Sequence, residues 1–461
     1  MAETNNKRVA KNTLFLYFRM ILIMLVTLYT SRVVLAQLGI KDYGIYNVVG
    51  GVVTMFAFLN NCMTTSTQRF LTFELGKGNW VFQFAILSFC VNIIQVPYNA
   101  VIIAHEKMNV YAYISIVEVM LKLGIVYLLS VSPFDKLIAY AVLIFAVQLL
   151  IRAIYQIYCR KNYEESKFRL FWDKSLYQQM SGFAGWNLFG SLAWMLRDQG
   201  LNIVLNLFFG PVINAARGVA TQVSGAVMNF ISNFQVALNP QITKNYANGN
   251  IQEMEKLTYL GIKFSYIILF FLAFPLSLNI NYVLRLWLVE VPDYTALFII
   301  LIMIDSMVGN LFGVPLMTSL SATGKIRNYQ IVVSFIILLI VPVGYIALRL
   351  GCDAPSVFYI TIIFSGISGF ARFLFCRKQI GYSLREMTKG VLLPVLSMTV
   401  VALPLPIFAK LEYFQTDTLM NFLLLCLISI VMTFVSAWFV GLNTTEKDKL
   451  LSIIKSKIHK G

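Results

Sequence analysis

The segment that decides the fold is residues 211–250, PVINAARGVATQVSGAVMNFISNFQVALNPQITKNYANGN. It has the length of a bilayer-crossing helix, yet it is poor in leucine and rich in Asn, Gln, Ser, Gly and Ala, with Arg217 near its start. Polar groups without hydrogen-bond partners in hydrocarbon cost several kcal/mol each, roughly. The segment is therefore predicted to face other helices or a water-filled cavity. Residues 43–79 follow the same plan, beginning with Asn47, so the two segments are predicted to be equivalent walls of one internal cavity.

The composition of the whole chain indicates a membrane protein. Of its 461 residues, 58% are hydrophobic and only 13% are charged, whereas soluble domains carry about 25% charged residues. Apolar blocks of roughly 20 residues alternate with short polar loops, the pattern of a polytopic, all-α membrane protein. Thirteen spans are predicted, at about 13–35, 43–67, 80–104, 110–130, 135–158, 176–206, 211–239, 258–281, 293–318, 329–349, 355–376, 390–410 and 418–441.

Basic residues orient these spans. The formal net charge is +16, and from residue 159 onward Lys and Arg concentrate in every second loop. Such loops stay in the cytoplasm, so both termini are expected there. Residues 1–10 are polar and basic without a cleavage motif, which predicts that the first helix is retained as a span. In the tail, 443–461, Leu and Ile alternate with Lys, which favours an interfacial amphipathic helix over a partner-binding one.

An internal repeat divides the chain into two similarly built halves. Asn47 matches Asn214 at an offset of 167 residues, and Gly78-Asn79 matches Gly249-Asn250 at 171. Later matches share an offset of 218: Val96-Pro97 with Val314-Pro315, Ala104 with Ala322, and Lys107 with Lys325. The jump of about 47 residues is the length of one span with its loop. The first half is therefore predicted to lack one helix near 79–80, which also explains why the basic-loop rule fails upstream of residue 159. A re-entrant or broken helix near 68–80 is a weaker alternative.

The repeat predicts two parallel, pseudo-symmetric lobes followed by two further helices. The expected boundaries are an N-lobe at 1–158, a C-lobe at 159–389, the extra helices at 390–441 and the tail at 442–461. Pro97 and Pro315 occupy matching positions, where a broken helix could act as a hinge.

Polar residues inside predicted spans are the candidates for substrate contact: Arg19, Arg32, Arg197, Asp198 and Arg217, with Asn47 and Asn214 at the starts of the two matching segments. Arg19 and Arg32 could instead reach the headgroups from the ends of their span. Arg197 and Asp198 are adjacent, so their side chains diverge by about 100° on a helix and at least one must find a partner elsewhere. Asp305, near the centre of its span, is either an ion-coupling site or a hydrogen-bonded residue between helices.

This arginine-rich set favours an anionic substrate, because a guanidinium binds phosphate with two parallel hydrogen bonds. The sequence contains no Ser-His-Asp arrangement and no phosphate-binding glycine loop, so no enzymatic activity and no cofactor are expected. Six Cys without CxxC spacing and two His predict no metal site.

Two segments resemble a known family. NTLFLYFRMILIMLVTLYTSRVVLAQLGIKDYGIYNVVGGVV and NAARGVATQVSGAVMNFISNFQVALNPQITKNYANGN are similar to the Wzx-type O-antigen and polysaccharide flippases, within the superfamily of multidrug, oligosaccharidyl-lipid and polysaccharide exporters. The resemblance implies two six-helix lobes, two extra helices, a central cavity and alternating access, one span more than the thirteen predicted here. It also implies that Arg19 or Arg32, and more closely Arg217, match arginines that line the cavity in related lipid flippases.

The function implied by this resemblance is movement of undecaprenyl-pyrophosphate-linked oligosaccharides across the bacterial inner membrane, for O-antigen, lipopolysaccharide or capsule synthesis. A polysaccharide polymerase and a chain-length regulator would be partners beside membrane lipids, with no nucleic acid, and the protein is expected to be a monomer. An exporter of small amphiphiles similar to the multidrug (MATE) transporters is the alternative, which acidic cavity residues would favour. A polysaccharide polymerase is disfavoured because no large periplasmic loop is present.

Overall fold

The computed structural model describes residues 94–131, 136–166, 172–414 and 418–444, together with 32, 91, 446–448 and 451. Throughout these residues the regular structure is helical, without a β-strand. Six described segments are long and apolar enough to cross a membrane: Ile251–Leu278, Thr295–Ala322, Arg327–Arg349, Ser356–Ile380, Leu384–Glu412 and Leu419–Gly441. The chain is an all-α membrane protein, as its composition predicts.

The helices follow one another with short connections. In chain order they are α1 (Ile94–Ala104), α2 (Met108–Val131), α3 (Lys136–Asn162), α4 (Lys174–Phe209), α5 (Pro211–Ala247), α6 (Ile251–Leu278), α7 (Ile280–Trp287), α8 (Thr295–Leu311), α9 (Val314–Ala322), α10 (Arg327–Leu338), α11 (Ile340–Arg349), α12 (Ser356–Ile380), α13 (Leu384–Met387), α14 (Leu393–Ala402), α15 (Pro404–Glu412) and α16 (Leu419–Ser436). A 3₁₀ turn at Glu164–Ser166 and π-helical turns at Thr388–Leu392 and Ala437–Gly441 complete the list.

Each predicted span from residue 110 onward coincides with one helix or with consecutive helices. The helix α4 matches the predicted 176–206 to within three residues, and α5 extends eight residues beyond the predicted 211–239. Apart from Arg32, the predicted spans 13–35 and 43–67 lie outside the described residues, and so does the junction at 79–80 where a helix is predicted to be missing. The predicted domain boundaries stay predictions.

By their contacts, the described residues form two compact units that divide between Tyr177 and Gln178. The first unit contains α1–α3. Its core contains Ile102, Ile151 and Tyr155, each at most 1% exposed. At one end the imidazole Nε2 of His105 contacts the carboxylate of Glu165, which shows that the loop after α1 and the loop after α3 lie at the same end of this unit. The hydrogen bond from His105 lowers the pKa of Glu165.

The second unit begins at Gln178 and packs its helices closely because small residues lie between them. A Cβ on Gly190 of α4 would come within 2.4 Å of Gln330 on α10, and one on Gly200 within 2.9 Å of Val341 on α11. Along α5 the buried residues near Arg217 include Ala215, Ala216 and Ala220. Close backbone approach through small residues is how helices associate in a lipid environment. The leucine-poor composition of α5 is therefore explained by helix contacts.

Helix ends recur at the offset of 218 residues that the sequence matches give, while the two lobes stay a prediction. α1 and α9 end at Ala104 and Ala322, and α3 and α12 end at Asn162 and Ile380. The turn that follows Ala104 and Ala322 repeats as well, since Glu106 and Gly324 both have positive φ, 57° and 70°.

A contact between helices also recurs. In the first unit the Cys159 thiol donates to the carbonyl oxygen of Tyr98 at 3.6 Å, and in the second the Cys376 thiol donates to that of Leu316 at 3.7 Å. Tyr98 and Leu316 are equivalent at the offset of 218, and the cysteines differ from equivalence by one position. The two segments therefore share their local architecture as well as their sequence pattern.

Candidate functional site: a charged cluster on α4, α5 and α8

The cluster is built around the turn between α4 and α5. Gly210 has a φ of 75°, a value that glycine adopts without strain, and Pro211 starts α5 at a position where its missing N–H is not needed. Two hydrogen bonds span this turn, both from the side chain of Arg217 on α5 to α4. Arg217 on α5 thereby faces Asp198 and Asn202 on α4.

Arg217 is the most completely buried member of the cluster. Its side chain is 6% exposed, and Nη2 donates to Oδ1 of Asp198 at 2.5 Å. Nη1 donates to Oδ1 of Asn202, whose own Nδ2 donates to Oε1 of Gln199 at 2.9 Å. The guanidinium thus uses both terminal nitrogens, and the Asp198 side chain is much more exposed, at 43%. Asp198 finds its partner on another helix, as the divergence of neighbouring helix positions predicts.

Arg197 points elsewhere. Its guanidinium carbon lies 4.4 Å from the centroid of the Trp194 ring, a cation–π distance. It interacts electrostatically with Asp305 on α8 and with Asp198. Its Nε is buried without a hydrogen-bond partner among the described residues. Arg197 is therefore a partly satisfied cation in the interior of the second unit.

Asp305, on α8, is the fourth charged residue of the cluster. Its carboxyl group interacts with Arg197 and with Ser365 on α12. Within the described part of the chain, Oδ1 of Asp305 is buried without a hydrogen-bond partner. The structure thus places Asp305 beside Arg197, and both sequence-based interpretations of Asp305, ion coupling and helix association, stay open.

The formal charges of the four residues cancel, since Arg197 and Arg217 are matched by Asp198 and Asp305. Two acids thus lie beside the arginines from which the sequence predicts an anionic substrate. An incoming anion would bind Arg217 by replacing Asp198, the more exposed member of this ion pair.

The other predicted site residues lie apart from this cluster or outside the described residues. Asn214 is one helical turn from Arg217 and fully buried, and neither polar atom of its side chain has a partner among the described residues. Arg32 is helical and exposed. Arg19 and Asn47 lie outside the described residues. The structure therefore brings together Arg197, Asp198, Arg217 and Asp305, and it shows no hydrogen bond from Asn214.

Sequence reasoning missed two further polar contacts. Asn202 was not recognised, although it lies four residues after Asp198 and thus on the same face of α4. The second is a buried ion pair between Lys263 on α6 and Glu446, whose carboxylate oxygens both lie 2.9 Å from Nζ, with side-chain exposures of 3% and 11%. Glu446 also accepts from the backbone N–H of Asn443 at 2.9 Å, while Oδ1 of Asn443 accepts from the N–H of Glu446 at 2.8 Å.

This reciprocal pair is a capping box, so the pattern Asn443-x-x-Glu446 was the available sequence signal for the start of a helix. A lysine within a predicted span, Lys263, was the signal that a buried partner must exist.

Fold and site together define an all-α membrane protein with a buried, charge-balanced cluster between three helices. No family model matches the chain, and a search of curated proteins likewise finds no match. The assignment of function therefore depends on the residues themselves.

Proposed function

We propose that this protein is a flippase of the Wzx type, which moves undecaprenyl-pyrophosphate-linked oligosaccharides across the bacterial inner membrane for surface polysaccharide synthesis. The observation that carries the proposal is the buried guanidinium of Arg217, held by a carboxylate that is itself 43% exposed. Arginine is rarely retained inside a membrane protein without a functional or pairing role.

The pyrophosphate of the lipid-linked sugar takes the place of Asp198 on Arg217. Its anionic oxygens match the planar fork of donors on the guanidinium. Arg197 lies next to Asp198 in sequence and supplies a second positive charge once Asp198 has withdrawn. The polyprenyl chain remains in lipid while the charged headgroup passes through the protein by alternating access.

The test is complementation of surface-glycan assembly in a strain that lacks its own flippase. Arg217→Ala is expected to abolish complementation with the protein still present in the membrane. Arg217→Lys keeps the positive charge but loses the planar pair of N–H donors that binds a phosphate with two hydrogen bonds, so it is expected to complement poorly. Arg377→Ala, which removes an exposed arginine on α12, is the matched control and is expected to complement fully. Full complementation by Arg217→Ala would remove Arg217 from the mechanism.

An exporter of small amphiphiles is the second candidate, and the presence of Asp198 and Asp305 in the cluster favours it. A cationic amphiphile would bind these carboxylates and would not need Arg217. Binding of a pyrophosphate-bearing lipid analogue and of a cationic dye to the purified protein distinguishes the two candidates. Under the flippase proposal, Arg217→Lys weakens binding of the analogue. If Arg217→Lys leaves binding of the analogue unchanged and Asp305→Asn abolishes binding of the dye, the exporter is favoured.

The orientation follows from the distribution of charge in the second unit. The turn after α9, the end of α12 and the start of α6 meet at one end, where Thr323 donates to Gln379 at 3.2 Å and the N–H of Ser383 donates to Glu255 at 2.7 Å. The same end carries many basic residues: Lys244, Lys256, Lys325, Arg327, Arg377, Lys378, Arg385 and Lys389. We assign it to the cytoplasm by the positive-inside rule, together with both termini.

In this proposal the protein acts as a monomer and delivers its product to a polysaccharide polymerase and a chain-length regulator. Lipid-linked oligosaccharide and membrane lipids are its other partners, and it uses no cofactor and no metal.

A further inference from the structure

The helix that carries Asp305 is broken a short distance further on. α8 ends at Leu311 and α9 begins at Val314, with Phe312 and Gly313 between them in non-helical geometry. Pro315 explains the break, because its ring removes one N–H and would clash with the carbonyl of Leu311 in a continuous helix. The carbonyl of Phe312 follows the last turn of α8, where such groups have no partner within the helix.

Arg372 of α12 supplies that partner. Its Nη1 donates to the carbonyl oxygen of Phe312 at 2.5 Å, and the residue is only 4% exposed. The guanidinium of Arg372 also interacts with the hydroxyl of Tyr329 on α10, through its charge and through a hydrogen bond. Its Nε is buried without a hydrogen-bond partner among the described residues. No ion pair between Arg372 and an acid occurs in the described part of the chain. This buried cation is therefore held by a backbone carbonyl.

A second residue on α12 shapes the same contact. Gly369, one turn before Arg372, lies so close to Phe312 that a Cβ on it would come within 2.7 Å of the Phe312 Cβ. Gly369 thus receives the side chain of Phe312 while Arg372 binds its carbonyl. Before the break, Asn310 accepts from Nε2 of Gln235 at 3.1 Å, so α8 is tied to α5 immediately upstream.

The equivalent place in the first unit is built differently. At the offset of 218, Gln95 takes the place of Gly313 and is helical, and α1 continues through Pro97. Ile151 and Ile154 take the places of Gly369 and Arg372. A proline at the matching position therefore does not suffice for the break, and the contact with Phe312 belongs to the second unit.

We infer that the break at Phe312–Gly313 is a hinge on which α9 moves relative to α8. The hydrogen bond from Arg372 to Phe312 stabilises α9 in the conformation seen here. A carbonyl at a helix break can exchange its partner without loss of the flanking helices, because it belongs to neither helical ladder. A guanidinium binds such a carbonyl firmly while it is engaged, and the charge-assisted bond is reversible. When Arg372 releases Phe312, α9 and the basic turn that follows it are free to rotate about Gly313. This inference does not depend on which substrate the protein moves.

Amide hydrogen exchange of the full-length protein in lipid nanodiscs tests the hinge. Arg372→Met removes the charge but keeps apolar volume, so the lost hydrogen bond to Phe312 is offset by removal of a buried charge that has no acidic partner, and global stability is expected to change little. Exchange at amides 311–317 is expected to be roughly ten- to a hundredfold faster, since one hydrogen bond to a charged donor is lost. Arg372→Lys, which keeps a donor, is expected to lie between the wild type and Arg372→Met.

Arg377→Gln is the matched control, because it removes an exposed arginine from the same helix, and it should leave exchange at 311–317 unchanged. Unchanged exchange at 311–317 in Arg372→Met would overturn the inference. If exchange became equally faster along the whole of α12, the inference would also be overturned, because Arg372 would then stabilise α12 in general and not the hinge. If exchange changes as expected while the wild-type protein fails to support glycan assembly in the flippase-deficient strain, the hinge stands and the proposed function fails.

Discussion

Residues 94–162 and 312–380 are two versions of one three-helix segment, and they differ where the second carries Arg372. The helix ends coincide at the offset of 218 residues, and so do buried apolar positions, with Ile102 equivalent to Leu320 and Tyr155 to Phe373. The difference lies at Ile151 and Ile154 in the first unit, which are replaced by Gly369 and Arg372 in the second.

The comparison shows that a few apolar positions and one turn are enough to preserve the architecture. At the helix break, Gly369 and Arg372 of the second segment stand where the first has Ile151 and Ile154. The buried ion pair Lys263–Glu446 lies in the second unit, which also has an exposed pair, Lys256–Glu253, like the exposed His105–Glu165 contact of the first. Four substitutions would break or sharpen this contrast.

The largest effect is expected from the buried ion pair of the second unit. Glu446→Gln leaves the ammonium of Lys263 buried without a counter-ion, which costs about 3–5 kcal/mol. Thermal unfolding in detergent should show a strongly lowered Tm. The double variant Lys263→Met/Glu446→Leu removes both charges and should recover most of the stability. A single variant as stable as the wild type would show that water reaches Lys263 and that the pair is not buried in solution.

The next largest effect concerns the contact between α12 and the helix break. Gly369→Ala places a Cβ within 2.7 Å of Phe312 and is expected to cost about 1–3 kcal/mol by overpacking. Gly366→Ala is the control on the same helix, because its Cβ would lie 3.7 Å from Val308, an ordinary contact. That variant should be neutral or slightly stabilising, since alanine is the better helix former. Equal Tm values for the two variants would contradict the close approach of Phe312.

A smaller effect is expected from the hydroxyl cluster at the basic end of the second unit. The Tyr382 hydroxyl donates to Ser319 at 2.9 Å and lies 3.1 Å from the Thr258 hydroxyl, so Tyr382→Phe is expected to cost about 1 kcal/mol. Burial raises the pKa of Tyr382 from its ordinary 10 to about 12. The wild type should therefore keep this contribution below pH 10 and lose it as the pH rises towards 12. The stability of Tyr382→Phe should not show this additional loss between pH 10 and 12. Parallel curves of stability against pH for the two proteins would contradict the prediction.

The smallest effect is expected in the first unit. Glu165→Gln removes an exposed contact with His105, and it should leave Tm unchanged at physiological salt because exposed pairs contribute little. The pKa of Glu165 lies below its ordinary value of 4.5, so the contact stabilises the protein above that pH and is lost as the pH falls through the lowered value. At low salt, where this exposed contact is least screened, any difference in Tm between wild type and variant should thus disappear in acid. A clear difference in Tm at neutral pH would show that this contact is more protected than the structure indicates.

Most helices of the described residues could be predicted, because hydropathy, basic loops and repeated motifs are read directly from the sequence. The offset of 218 taken from Ala104 and Ala322 also gives the ends of α3 and α12, and the divergence of Arg197 and Asp198 predicts that they find separate partners. The missed contacts are tertiary. Lys263 meets a carboxylate 183 residues away, and Arg372 meets a carbonyl, which has no signature in a sequence.

The length of α5 has a consequence for the shape of the molecule. Its 37 residues extend about 55 Å at 1.5 Å per residue, while the hydrocarbon layer is about 30 Å thick. Even with tilt, part of α5 extends beyond the hydrocarbon layer, and the proposed orientation puts that excess at the end that carries Lys244. In that orientation these last turns of α5 would be the part of the helix that a cytosolic partner meets first.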